Sequence, residues 1–285
     1  CRKKSNRLLY ASKKTLDLRN EYKVLKWFEN NKPQIVIISA AKVGGIYANS
    51  NYPVDFIENN LRIQNNIIRA SYISGVEKLV FLGSSCIYPK HCEQPIKEDY
   101  LLSGFLEPTN EAYAVAKIAG IKLCEAYSNQ YNCNYISLLP TNLYGPNDNF
   151  DPKFSHVPAA LLRRFHEARI SKSKSVSVWG TGTPRREFMH VADLAKAIVF
   201  MLEHYSSSKP INIGTGKDIS IKEFAEVIAE VVGFDGKITY DVSKPDGTPL
   251  KKLDISRALS YGWKPEIKLK SGIRSTYDWA LKNIF

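Results

Sequence analysis

Long apolar runs are missing from this sequence. No stretch approaches the roughly 18 consecutive apolar residues of a membrane-spanning helix, and the opening segment "CRKKSNRLLY" carries no apolar signal core. A membrane protein is therefore not expected. Cysteine is also scarce. The five cysteines, at 1, 86, 92, 124 and 133, are odd in number and show no C-x-x-C spacing. That argues against a zinc site, so no metal is expected. It also argues against a disulfide framework, and for a reducing, cytoplasmic setting. Internal repeats and low-complexity tracts are absent too. The 285 residues, 44% hydrophobic and 24% charged, are those of a globular protein of one large domain or two intimate ones. The net charge of +12 comes from basic residues spread along the chain, not gathered in one stripe. This favours small anionic ligands such as nucleotides over nucleic acid.

Strand and helix patterns alternate along the chain. "PQIVIISA" (33–40) is a continuous apolar run, as expected for a strand covered on both faces. A helical pattern follows over 56–74, with Ile57, Leu61 and Ile68 in one row and Ile63 and Ile67 in another. Strands are predicted at 78–85, 134–140, 175–180, 210–216 and 237–243. Helices are predicted at 110–129, 190–204, 219–232, 254–260 and 270–283. Repeated β-α-β units predict an α/β fold with a doubly wound parallel sheet.

Ligands of such sheets bind at the carboxyl ends of the strands. The strand "KLVFLG" ends there in "SSCIYPK", with Ser84, Ser85 and Cys86. On this motif alone, a hydroxyl-rich turn closing a strand explains the residues equally well. The next helix carries Tyr113 and Lys117, four residues apart and so on one face. A lysine ammonium beside a phenol is expected to favour the phenolate and lower the tyrosine pKa from about 10. Such a tyrosine can exchange a proton with a carbonyl or alcohol oxygen. Tyr-x-x-x-Lys occurs by chance on many helices. Its force comes from following a strand that ends in Ser84.

The chain resembles the extended short-chain dehydrogenase/reductase family. Within it, the similarity is to the branch that converts GDP-4-dehydro-6-deoxy-D-mannose to GDP-L-fucose. The matching stretches are "AAKVGGIYANSNYP" (40–53), "FLGSSCIYPK" (81–90), "EPTNEAYAVAKIAGIKLCEAY" (107–127), "LPTNLYGPNDNF" (139–150), "SHVPAALLRRFHEA" (155–168), "VWGTGTPRREFMHVADLA" (178–195) and "SKPDGTPLKKLD" (243–254). The resemblance implies a Rossmann-like, doubly wound parallel sheet with a smaller C-terminal α/β substrate domain. The first domain is expected over 1–150, with 187–216 returning to it, and the second over 151–186 and 217–285. The resemblance also implies 3,5-epimerisation of the sugar followed by NADPH-dependent reduction of its C4 ketone. It implies Tyr113 as proton donor to the C4 oxygen, Ser84 as a hydrogen-bonding partner of that oxygen, and Lys117 as ribose ligand. Cys86 and His156 match the acid/base pair for epimerisation. NADP(H) contacts are implied at Lys13, Asp17, Leu18, Leu82, Gly83, Ser84, Ser85, Lys117, Pro140, Thr141, Asn142, Leu143 and His156, with Ser12 and Lys14 also in reach of the 2′-phosphate. Arg164, Trp179, Arg186 and Asp246 match the GDP-sugar positions. A homodimer through the helices 56–74 and 110–129 is implied as well. Cys92, Cys124, Cys133, His91, His166, His190 and His204 have no such context and read as structural, and Arg163 competes with a solvated helix face.

The family opens on a strand and a G-x-x-G-x-x-G loop, which this sequence does not contain; "VGG" at 43–45 follows a later strand. Residues 1–18 are expected to hold the end of a first helix and a second strand. An opening βα unit on the order of 20–30 residues is then expected ahead of them, and the chain as given is expected to bind cofactor weakly. Two rival functions stand beside the main one. The first is another nucleotide-sugar 4-epimerase or 4,6-dehydratase of the same fold. The second is a non-catalytic scaffold or sensor that has lost its cofactor.

Overall fold

The computed structural model describes residues 7–152, 154–244 and 246–285. Residues 7–20 form no strand. The Ser12 carbonyl accepts from the Thr15 and Leu16 amides at 3.0 and 2.8 Å, which closes a turn where a second strand was expected. Helix α1 (Glu21–Asn31) follows, capped by the Asn20 side chain on the Lys23 amide. Its charged sequence hides the helix, since only Val24 and Phe28 are buried.

Strand β1 (Ile35–Ile38) leads to α2 (Ile46–Asn51) and α3 (Pro53–Ile73), the latter with Pro53 in its first turn. Strand β2 (Lys78–Leu82) precedes a short 3₁₀ turn at Ser85–Ile87, so the expected strand stops three residues early. Helix α4 (Glu111–Tyr131), strand β3 (Tyr135–Pro140) and the short strand β4 (Asn142–Tyr144) come next. They are followed by α5 (Val157–Ile170), β5 (Ser175–Trp179), β6 (Arg185–His190), α6 (Val191–His204) and β7 (Ile211–Ile213). The tail consists of β8 (Asp218–Ser220), α7 (Ile221–Val232), β9 (Lys237–Asp241), β10 (Leu250–Lys251), α8 (Ser256–Ser260) and α9 (Leu269–Asn283). Ser220 and Glu223 start α7 with reciprocal side-chain-to-backbone bonds, and Gly233 ends it at φ 77°.

The main sheet is parallel, in the order β1-β2-β3-β7. Its two faces follow from the two-residue period of the strands. Leu79 and Phe81 of β2, with Tyr135 and Leu139 of β3, pack under α1, α3 and α4. Val80, Ile136 and Leu138 point the other way, against Leu194, Ala197 and Met201 of α6. Helices thus cover both faces. A further core joins Leu162 and Phe165 of α5, Phe224 and Ile228 of α7, and Ile273 and Tyr277 of α9 to the β5–β9 pair. Leu253, Ala258 and Trp263 pack back on the main-sheet cores.

The buried stripe of α3 is not purely apolar. Asn60 and Gln64 are 2% exposed. Asn60 holds both the amide and the carbonyl of Lys42, at 2.7 and 3.0 Å, and Gln64 donates to the Ala116 carbonyl at 2.7 Å. A Cβ on Gly120 would lie 2.4 Å from Phe81 and 2.8 Å from Gln64, so only glycine lets α4 settle here.

Lys78 is a buried cation with no carboxylate paired to it among the described residues. Its ammonium donates to the carbonyls of Leu202 and Tyr205 at 2.7 and 2.6 Å, closing the last turn of α6. Lys78→Met should therefore lower stability by about 2–3 kcal/mol, because the charge-assisted bonds to the Met201, Leu202 and Tyr205 carbonyls and to the Ser206 hydroxyl go. A urea midpoint equal to that of the unaltered protein would show that Lys78 contributes nothing.

Candidate active site

The carboxyl ends of β2 and β3 lie side by side, with Leu82 in register with Leu138. Gly83 is buried between them, and a Cβ there would sit 2.5 Å from Leu139. Beyond it the chain turns. The Ser84 hydroxyl accepts from the Cys86 amide at 3.2 Å, which fixes the 3₁₀ turn and keeps Cys86 half-buried, while Ser85 is 2% exposed.

Tyr113 sits in the first turn of α4, its ring edge-on to Phe56 with centroids 6.4 Å apart. Burial pushes its phenol well above the usual range; the neighbouring Cys86 adds to this, and a hydrogen bond with Ser84 only partly opposes it. Ser84, Cys86 and Tyr113 are thus brought together. Lys117 lies behind them, 4% exposed, donating to the Leu82 carbonyl at 2.8 Å. Its nitrogen is 4.9 Å from the Phe81 ring centre and 5.9 Å from that of Tyr113. Burial brings its pKa down to about 8. The expectation that Lys117 lowers the Tyr113 pKa does not hold in this arrangement. The ammonium is aimed at a backbone carbonyl, and desolvation dominates both groups.

His156 caps α5 with its backbone and is exposed. Asp148, which the sequence reading did not single out, lies close enough for its charge to feel the imidazole; burial raises the Asp148 pKa and His156 opposes the rise. The 44–47 segment packs alongside, with Tyr47 and Phe154 ring centres 6.2 Å apart.

The GDP-sugar candidates form a strip along β5, β6 and the 241–249 segment. Trp179 is 61% exposed, and Arg164 and Lys244 each approach its ring to 5.8 Å. Arg164 also donates to the Ser177 carbonyl at 2.7 Å. Asp246 accepts from the amide and hydroxyl of Thr181 at 2.7 and 2.8 Å. Its carboxylate fills the space beside Gly180, where φ is 79° and a Cβ would lie 2.2 Å from it. Burial lowers the Arg186 pKa, partly opposed by Cys86, Asp246 and Glu107. Lys244 and Glu107 were not singled out from sequence.

The β3 end is held by β6, which pairs with β4. Thr141 and Asn142 donate their side-chain hydrogens to the Glu187 carbonyl at 3.2 and 2.9 Å, while Pro140 is buried and Leu143 half-buried. The Glu187 side chain is fully buried. Its carboxylate accepts from the amides of Thr215, Gly216 (2.8 Å) and Leu253 (2.7 Å). Near the start of the chain, Lys13 and Lys14 are exposed. Asp17 is paired with Arg19 at 2.7 Å, a hydrogen bond that holds its carboxyl far below the usual range, and the Leu18 carbonyl accepts from Asn66 at 2.9 Å. Among the described residues no cluster of His, Cys, Asp and Glu is arranged to hold a metal ion, and no helix is long and apolar enough to cross a membrane.

A nicotinamide dinucleotide fits what stands at these strand ends. The Lys117 ammonium has three hydrogens and, among the described residues, donates one to the Leu82 carbonyl, which leaves donors for a ribose diol. Comparison with known proteins agrees. A GDP-L-fucose synthase from Arabidopsis thaliana is 57% identical over 94% of this chain and 83% of the relative. A GDP-L-fucose synthase from Escherichia coli K12 is 52% identical over 97% of this chain and 89% of its own length. A solved structure of a GDP-L-fucose synthetase from Naegleria fowleri with NADP bound superposes with a TM-score of 0.90, at 30% identity, over 96% of this chain and 85% of that one. The model of the NAD dependent epimerase/dehydratase family matches residues 2–214, a span that holds the parallel sheet, the Ser84 turn and the Tyr113 helix; the chain belongs to that family.

Proposed function

We propose that the chain converts GDP-4-dehydro-6-deoxy-D-mannose to GDP-L-fucose, by 3,5-epimerisation and then NADPH-dependent reduction at C4. The convergence of Ser84, Cys86 and Tyr113 at the end of β2, with Lys117 buried behind them, carries this reading. The C4 ketone acidifies the protons on C3 and C5. Cys86 and His156 remove a proton from one face and return one to the other, while Ser84 and Tyr113 hold the C4 oxygen as negative charge gathers on it. NADPH, when bound, supplies the hydride for C4. Tyr113 then gives its proton to the C4 oxygen, a role that suits a phenol kept protonated by burial.

Lys117 and the strand-end segments Leu82–Ser85 and Pro140–Leu143 hold the cofactor, with Lys13, Asp17 and Leu18 toward its adenosine end. Arg164 and Arg186 face the diphosphate, and Trp179 and Asp246 the remainder of the GDP-sugar. Exposed apolar side chains on and beside α3 and α4, among them Tyr52, Val54, Tyr72, Ile73, Val115 and Tyr131, support a homodimer through those helices. The free cysteines support a cytoplasmic setting.

Incubation with NADPH and GDP-4-dehydro-6-deoxy-D-mannose tests the reaction. The expected result is stoichiometric loss of the nicotinamide absorbance with formation of GDP-L-fucose. Turnover without net NADPH consumption would assign a 4-epimerase or 4,6-dehydratase instead. Absence of both turnover and NADPH binding when a family-type strand and G-x-x-G-x-x-G loop are supplied ahead of residue 1 would favour a scaffold or sensor.

A further inference from the structure

Glu107 belongs to none of the groups assigned above, yet it touches three of the segments that carry them. Its side chain is only 15% exposed. One carboxylate oxygen lies 3.2 Å from the Lys90 ammonium and 3.5 Å from the Thr248 hydroxyl. The other accepts from the amide and hydroxyl of Thr109 at 3.5 and 3.4 Å. Lys90 is on the loop that begins at Cys86, and its amide is tied to the Phe105 carbonyl at 2.8 Å. Thr109 leads directly into the Tyr113 helix. Thr248 is 141 residues further along the chain, two residues past Asp246 and two before β10. Strand β10 in turn sets Lys251 opposite Arg186. A small cavity lies at this junction, lined by Tyr88, Lys90, Gln94, Glu107, Thr248 and Lys251.

We propose that Glu107 is a positioning residue: its carboxylate ties the Cys86 loop and the start of the Tyr113 helix to the 246–251 segment, and so sets the Arg186–Asp246 edge of the cleft relative to the reacting groups. A carboxylate suits the task because one group can answer an ammonium, a hydroxyl and an amide together. Burial alone pushes its pKa up, but Lys90 and Thr109 outweigh this and keep it ionised. The two parts of the molecule do not depend on Glu107 for their attachment. The Ile96 amide donates to the Lys252 carbonyl at 2.7 Å, the Asp254 amide to the Ile96 carbonyl at 2.8 Å, and the Lys252 amide to the Gln94 side chain at 3.0 Å. Loss of the carboxylate charge therefore shifts one edge of the cleft and leaves the fold standing.

The proposal rests on the reaction assigned above, and the test separates the two. Glu107→Gln, Lys90→Met and the double variant are compared by steady-state kinetics with NADPH and GDP-4-dehydro-6-deoxy-D-mannose. Amide hydrogen exchange of residues 247–251 is measured on the same proteins without ligand. Glu107→Gln is expected to raise KM for the GDP-sugar about tenfold while kcat and KM for NADPH stay within about twofold. Lys90→Met should act in the same direction, and the double variant should be no worse than the worse single one, because the two groups form one link. Exchange at 247–251 should quicken in all three. Unchanged exchange, equal rises in KM for both substrates, or additive single effects would each overturn the proposal. If the unaltered protein turns over no GDP-sugar, the reaction assignment fails and the exchange result alone decides whether Glu107 holds the segment.

Discussion

Tyr113→Phe is expected to lose about 10²–10⁴-fold in reduction of the C4 ketone, with GDP-sugar binding nearly intact. The substitution removes one oxygen and little else. The ring still meets Phe56 edge-on, and the α4 backbone is unchanged. What goes is the hydroxyl that burial keeps protonated beside Ser84 and Cys86. Serine alone can hydrogen-bond the C4 oxygen, but its hydroxyl is a far weaker acid than a phenol. Epimerisation, which relies on Cys86 and His156, should continue. The check is twofold: the rate of NADPH oxidation, and uptake of deuterium from heavy water at C3 and C5. Near-normal NADPH oxidation by the variant would remove Tyr113 from the role of proton donor.

Cys86→Ser should divide the chemistry the other way. A hydroxyl keeps hydrogen-bonding capacity but not a readily ionised group, so epimerisation should slow by about 10²-fold or more, far more than hydride transfer. The unepimerised ketone still reaches Tyr113, and the variant should release a GDP-6-deoxyhexose of the wrong configuration. The position supports the assignment: Cys86 is only half-buried, its amide is pinned by Ser84, and it neighbours Tyr113. Deuterium wash-in reports the loss directly. Wash-in at the unaltered rate would reduce Cys86 to a packing residue.

Tyr113 was singled out by its spacing to Lys117 behind the Ser84 strand, whereas Cys86 was singled out only through the family resemblance. Tyr113 and Lys117 share one turn spacing on a helix, which is a local signal. The long helices α3, α4, α6 and α9 were legible for the same reason, since an apolar period over several turns averages out its exceptions. Elements whose support comes from elsewhere were not. Strands β4 and β8, three residues each, exist because β6 lies beside them. Helix α1 buries two side chains among eleven residues and reads as a polar loop. The sequence reading set Ile57, Leu61 and Ile68 in one row of α3 and Ile63 and Ile67 in another. The structure buries Ile67 and Ile68 and turns Asn60 and Gln64 inward with them, where each satisfies a backbone group that no local pattern announces. Glu107, Lys244 and Asp148 escaped notice because what distinguishes them is their partners, and one partner of Glu107, Thr248, lies 141 residues away. The direction of the Tyr113 pKa was misjudged because spacing tells which side chains are neighbours, not which atom an ammonium chooses.

Glu187 has a consequence for the order in which the molecule is made. Its carboxylate has the Leu253 amide among its acceptor contacts, and that amide comes 66 residues later in the chain. On a ribosome adding about 5–20 residues per second, the gap amounts to roughly 3–13 s. Throughout that interval the carboxylate oxygen that takes the Leu253 amide has to stay in water or take up a proton, even once the Thr215 and Gly216 amides have reached the other oxygen, since burying it unpaired is costly. Strand β6 therefore cannot close over the Thr215 turn when its own residues emerge, and the β3 end that hangs from the Glu187 carbonyl waits with it. The strand-end cleft is completed from the C-terminal side, so a nascent chain halted before Leu253 would carry every reacting side chain named above and still hold an unfinished site.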